Sequence, residues 1–155
     1  MAFVYVDGVI ESFAEFQDVL DHDQRLFDSN EGLSDTVVYP HLVRATERIL
    51  TKIQSSQWFK DNTTDSIDSA QILTRHNDFT DLCVYTALSQ YILPVIADFG
   101  TPDNAEIEKM KYYSQRMDSL LSELIADGDW YDWDNDGSIT SNEHKPGRIL
   151  PRRVR

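Results

Sequence analysis

The sequence predicts a mainly α-helical fold: a small bundle of four to five helices with an irregular, extended C-terminal arm. Three observations predict it. Apolar residues recur at steps of three and four in segments between Val38 and Leu124. Caps and breakers stand where such helices would begin and end. The chain has 155 residues, 41% of them apolar and 11% aromatic. That is enough for one ordinary core and excludes disorder by composition.

Taken in order, Phe3 to Val6 is a β-prone run ended by Asp7-Gly8, a terminal strand or an arm laid on a neighbour. Ile10, Phe13, Ala14, Gln17 and Leu20 fit a first helix. Residues 21–36 are polar and turn-rich, with Asn30-Glu31-Gly32 as the break. A second helix is capped by Ser34 or Asp35, takes Pro40 in or near its first turns, and carries Val38, Leu42, Ala45, Ile49 and Ile53 on one face.

Gln54 to Asp68 reads as a loop anchored by Trp58-Phe59, followed by a short helix to Leu73. A helix from Asn77 or Asp78 to about Phe99 is apolar on most faces and therefore central. Pro94 should kink it, since the ring lacks a donor and crowds the preceding turn. Gly100 ends it, and Thr101-Pro102 cap and open the next. There Ile107, Met110, Ser114, Met117, Leu121 and Leu124 form a seam of about two and a half heptads, read here as the core face of a bundle helix. Asp127-Gly128 stops it, with glycine at the left-handed cap. The chain divides into a helical body, 1–128, and an acidic loop with a basic arm, 129–155.

Charge is segregated along the chain. Net formal charge is −13, yet all 27 acidic residues lie at or before Glu143. The first 144 residues carry −18, and the last 11 carry +5 from Lys145, Arg148, Arg152, Arg153 and Arg155. An acidic body repels nucleic acid and anionic membrane, while the tail suits an acidic partner or phosphate. The lone Cys83 lies in an apolar run and reads as a buried, inert thiol. The N-terminus lacks the pattern of a secretory signal, so the Asn62-Thr63-Thr64 sequon is expected to be silent. The most apolar stretch, Leu82 to Ile96, is short and interrupted by Ser89, Gln90 and Pro94, and no membrane partner is expected.

One segment carries sharp chemistry. Residues 132–143 read Asp-Trp-Asp-Asn-Asp-Gly-Ser-Ile-Thr-Ser-Asn-Glu, the twelve-residue EF-hand calcium loop. Asp132, Asp134 and Asp136 take positions one, three and five; Gly137 takes the sharp turn at six. Ser138 offers its carbonyl from seven, Thr140 acts at nine, and Glu143 is the carboxylate at twelve. Alternate residues of a tight loop aim oxygens at one centre, as a hard cation with six to eight oxygen ligands requires. The expected cation is Ca²⁺, in a structural role. A helix enters the loop, but His144-Lys145-Pro146-Gly147 permits little more than a turn on exit, and there is no second loop.

Enzyme signatures are not found. His22, His41, His76 and His144 are scattered, without the spacing of a zinc protease, and neither a phosphate loop nor a nucleophile elbow occurs. No catalytic residue is assigned, and an unrecognised hydrolase is the least favoured reading.

The order of elements resembles the head-to-tail connector, or adaptor, proteins of tailed bacteriophages. The resemblance covers roughly residues 35–155 and rests on four features. They are the helix Tyr39-Pro-His-Leu-Val-Arg-Ala-Thr-Glu-Arg-Ile-Leu, the Trp58-Phe59 loop, the apolar helix Asp81 to Pro94, and a long polar helix ending in Asp127-Gly-Asp-Trp-Tyr-Asp-Trp-Asp before an arginine-rich terminus. It implies a virion neck protein assembled in the host cytoplasm: a homo-oligomeric ring, commonly of twelve, between the portal and the tail or stopper. DNA would pass through its channel without sequence-specific binding. The arm residues Arg148, Ile149, Leu150, Arg152, Arg153 and Arg155 are the expected partner-binding set, docking on the portal or, as the runner-up, facing DNA. The alternative function is a calcium-binding interaction module built on the single loop.

Overall fold

The computed structural model describes residues 3–29, 32–96, 100 and 105–147. It is mainly helical, with one two-stranded sheet. The N-terminal residues form a hairpin of β1 (Val4–Val6) and β2 (Val9–Ser12). Asp7 and Gly8 both have positive φ, 51° and 80°, as the two central residues of a type I′ turn do. The predicted first helix is corrected here: Ile10 lies on β2, and α1 (Phe16–His22) starts six residues later. Its entry is a capping box in which Glu15 and Asp18 satisfy each other's backbone donors. The polar stretch 21–36, expected to be turns, also holds a short helix, α2 (Gln24–Ser29).

Three long helices form the core. α3 (Asp35–Gln54) begins after Ser34 and buries Val38, Leu42, Ala45, Ile49 and Ile53, the predicted face. The Trp58-Phe59 loop is instead a short helix, α4 (Gln57–Asn62), capped by the Ser56 hydroxyl, and a 3₁₀ turn follows at Ser69–Gln71. The central helix is α5 (His76–Ala87), which begins after Arg75 and continues through a π turn at Leu88–Ile92 into α6 (Leu93–Ile96). The π turn is how the chain meets Pro94. The Leu93 N–H reaches back to Leu88 O, and the widened turn makes room where a proline ring would crowd the carbonyl four residues earlier.

The rod His76–Ile96 has 21 residues and is long and apolar enough to cross a membrane by length and composition. Its apolarity has a nearer cause, because 61% of its most apolar window is buried inside the domain. It packs against α1, α3 and α7. Cys83 is fully buried there, its thiol pushed up to about 12 by desolvation, so it is inert as expected. The predicted caps at Thr101 and Pro102 lie outside the described residues.

α7 (Ala105–Asp127) buries Tyr113, Met117 and Leu124. Met117 and Leu124 lie on the predicted seam, while Tyr113 is buried in place of Ser114. Gly128 ends the helix with φ 57° and donates its N–H to Leu124 O at 3.0 Å. The chain then drops Trp130 into the core, fully buried against Phe79 (4.9 Å between ring centroids) and Trp58 (5.4 Å). Its indole N–H donates to Leu124 O at 2.8 Å, which occupies a carbonyl of the last helical turn. Trp130→Ala is expected to cost about 3–5 kcal/mol, the range for deleting a buried large aromatic. Urea denaturation monitored by circular dichroism measures it; a loss below about 1 kcal/mol would contradict this placement of Trp130.

Candidate metal centre

The loop 132–143 leaves the core directly from Trp130. Its entry is stapled to the segment that precedes α5. Leu73 N–H donates to Trp130 O (3.1 Å), and Ile72 and Tyr131 form an antiparallel bridge. Asp132 N–H donates to Gln71 O (2.8 Å), while the Gln71 amide donates to Asp132 O (2.6 Å). The first ligand position is thus held on both its backbone groups by one residue, Gln71.

The loop then closes on itself as the twelve-residue pattern requires. Gly137 turns with φ 89° and donates its N–H to Asp132 Oδ2 at 2.9 Å. Asn135 also takes a left-handed conformation, φ 57°. Asp134 Oδ1 accepts from Asp136 N–H (3.2 Å), and Asp136 Oδ1 accepts from Ser138 N–H (2.9 Å). Glu143 gathers the far side. Its Oε2 accepts from Trp133 N–H (2.7 Å), and its Oε1 accepts from the Thr140 N–H (3.1 Å) and hydroxyl (3.2 Å).

Ligand oxygens of Asp132, Asp134, Asp136 and Glu143 all lie within 4.8 Å of one another, so the cluster can hold a metal ion. The other two predicted site residues accompany them. The Ser138 hydroxyl is on Asp136 Oδ1 (3.3 Å), and the Thr140 hydroxyl is on Glu143.

Burial decides whether this is more than an acidic turn. Asp132 is 1% exposed and Glu143 is 5% exposed. Buried carboxylate oxygens are expected to have partners. Asp132 Oδ1 has none, although its Oδ2 is bonded to Gly137. Two like charges within 4.8 Å repel by roughly 3 kcal/mol at an effective dielectric near 20, so Asp132 and Glu143 oppose each other unless a cation stands between them. The donor set is all oxygen, which suits Ca²⁺ or Mg²⁺ rather than a thiophilic metal. The Asp134 carboxyl is pushed above its ordinary value, first by desolvation, then by its bond with Asp132 and the charges of Asp136 and Glu143. The Asp136 backbone N–H opposes that rise.

The exit side matches expectation. A single 3₁₀ turn, Ser141–Glu143, is the only helix on that side among the described residues, and residues 144–147 are irregular. Residues 145–147, at the start of the basic tail, lie on the body. Lys145 N–H donates to Gly128 O (3.0 Å), Trp58 Nε1–H donates to Lys145 O (2.5 Å), and Gly147 N–H donates to Ile125 O (2.8 Å). Arg148, Ile149, Leu150, Arg152, Arg153 and Arg155 lie outside the described residues. Gln71 carries no motif signal, standing 61 positions from Asp132 in sequence.

Comparison of the chain with protein-family models, curated proteins and solved structures finds no match.

Titration with Ca²⁺ by calorimetry is expected to give a one-site isotherm with Kd roughly 10⁻⁵ to 10⁻³ M, the weaker range, since no exit helix braces Glu143. Glu143→Ala should abolish the heat. Binding should weaken as pH falls, starting above the ordinary aspartate range near about 3.9, because Asp134 holds its proton at higher pH and the cation must displace it. Absence of heat and of thermal stabilisation at millimolar Ca²⁺ would refute the site.

Proposed function

We propose that the protein is a structural virion component: an adaptor ring of the connector kind, joining a phage portal to the tail or neck, with loop 132–143 as its Ca²⁺ site. The observation that carries this reading is the arrangement at the C-terminal end of the described chain. Residues 145–147 are tied to an acidic helical body by three hydrogen bonds, so the basic run 148–155 starts from a defined point. Such a run, with Ile149, Leu150 and Val154 between its arginines, suits insertion into a partner groove lined by carboxylates and apolar pockets.

Ring assembly requires two different complementary surfaces on each subunit. Apolar side chains exposed on separate elements supply candidates: Tyr5 and Val9 on the hairpin, and Val95 on α6 with Tyr112 on α7. Val9 is 64% exposed and Val95 is 74% exposed. Acidic walls suit a DNA channel, since like charge keeps the passing duplex from sticking. The reading includes no catalytic step.

A second reading, a calcium-binding interaction module, is favoured by the unpartnered buried Asp132 Oδ1. Native size separates the two. A ring has a mass near a large multiple of 17.9 kDa, alone or on its portal, whereas a module is a monomer or dimer. Electron microscopy of the native assembly would locate the ring directly.

Deleting residues 148–155 is expected to leave the helical circular dichroism and Ca²⁺ binding intact and to abolish portal docking in a pull-down. Unchanged docking would make the basic run a solubility tail. Val95→Asp should block ring formation without lowering the melting temperature of the subunit; a ring that persists removes that surface from the interface.

A further inference from the structure

Glu143 stands two residues before Lys145, where the chain lies back on the C-terminal end of α7. We infer that a divalent cation in loop 132–143 is the latch that holds the strap Lys145–Gly147 against the body, so that site occupancy controls how the C-terminal segment leaves the domain. This rests on the reading of the loop as a cation site, which has the buried, unpartnered Asp132 Oδ1 as its support independent of the acidic cluster.

The two ends of the loop differ in how they are held. Asp132 is stapled by Gln71 and follows the buried Trp130 and Tyr131. Between Asp134 and Asn142, the side-chain hydrogen bonds of the described residues stay within the loop itself. Glu143 is therefore tied back to the fixed end by backbone donors at 133 and 134 alone, one of them at 3.4 Å. A cation bridging Asp132 and Glu143 adds an ionic tie across that gap, and Glu143 is the residue that sets where the strap begins.

The strap is a close-fitting contact. A Cβ on Gly147 would stand 2.5 Å from Ile125 Cγ2 and 2.7 Å from Ile125 O. A Cβ on Gly128 would stand 2.1 Å from Lys145 O. Both glycines are thus demanded by the seated strap, and Gly128 also by its positive φ. Because binding and seating are coupled, each must strengthen the other by the same factor.

Amide hydrogen exchange of the full chain, followed by NMR with and without millimolar CaCl₂ beside calorimetry, tests this. Ca²⁺ is expected to slow exchange of the Lys145 and Gly147 amides by about tenfold, within the range of ordinary site-to-site coupling. Gly147→Ala leaves every carboxylate in place, unseats the strap, and should weaken Ca²⁺ binding by the factor by which protection is lost. Asp136→Ala removes an exposed ligand without disturbing the core, and should lose both the heat and the Ca²⁺-dependent protection. Normal Ca²⁺ heat with unchanged exchange at Lys145 and Gly147, and unchanged affinity in Gly147→Ala, would overturn the latch while leaving the site standing. No heat in the wild type would remove the site and the latch together.

Discussion

The C-terminal third of the molecule depends on the insertion of Trp130 under the end of α7. Helix α7 must stop for the indole to enter, and Gly128 stops it with a left-handed turn. The indole N–H then adds a second hydrogen bond to Leu124 O, which already accepts from Gly128 N–H, so the side chain that fills the core is tied to the helix end. Everything after follows from that anchor. Tyr131 is delivered to the bridge with Ile72, and Asp132 is delivered to Gln71. Trp133 then meets Trp58 and Phe59, closing an aromatic cluster beneath the loop. A floppy loop of four carboxylates would bind a cation weakly, since ordering it costs about 1–2 kcal/mol per residue. The aromatic floor meets part of that cost during folding, before any ion arrives.

What could be read from sequence was what is encoded locally. The bundle's α3 face, the centrality of α5 and the glycine cap of α7 each depend on neighbours three or four residues away, and they stand as expected. The loop was legible for the same reason: its ligands, its turn glycine and its internal hydrogen bonds span twelve residues. The first helix misled because Ile10, Phe13 and Ala14 satisfy helical spacing across a boundary. Ile10 is buried from a strand, while Phe13 and Ala14 are buried from the turn that follows. The Asp7-Gly8 pair was the signal that a hairpin stood there. Gln71 and the strap at 145–147 could not be read, because their contacts join segments far apart in sequence. Tyr113 is not legible as a core residue from sequence because a polar tip hides an apolar ring. Its hydroxyl donates to Asp23 at 3.3 Å, and its ring packs on Tyr85.

The distribution of charge sets the loop apart from its surroundings. Next to it, Asp127 and Asp129 gather at the negative end of the α7 dipole, an unfavourable place for carboxylates. Arg75 answers them. It sits with φ 59° at the start of α5, only 18% of its side chain exposed, and pairs with Asp78 (2.8 Å), Asp127 (2.5 Å), Glu123 (3.5 Å) and Asp129 (3.6 Å). Burial alone would favour its losing the proton, but the bonds to Asp78 and Asp127 outweigh that and hold it charged. One internal cation is therefore spent on the helix end. No ion pair among the described residues reaches Asp132, Asp134, Asp136 or Glu143. The nearby Lys145 ammonium lies instead over the Trp133 ring, 5.0 Å from its centroid. The chain thus sets its own arginine among the carboxylates at the helix end, and leaves the adjacent four around a buried unpartnered oxygen, a cluster that could hold a metal ion.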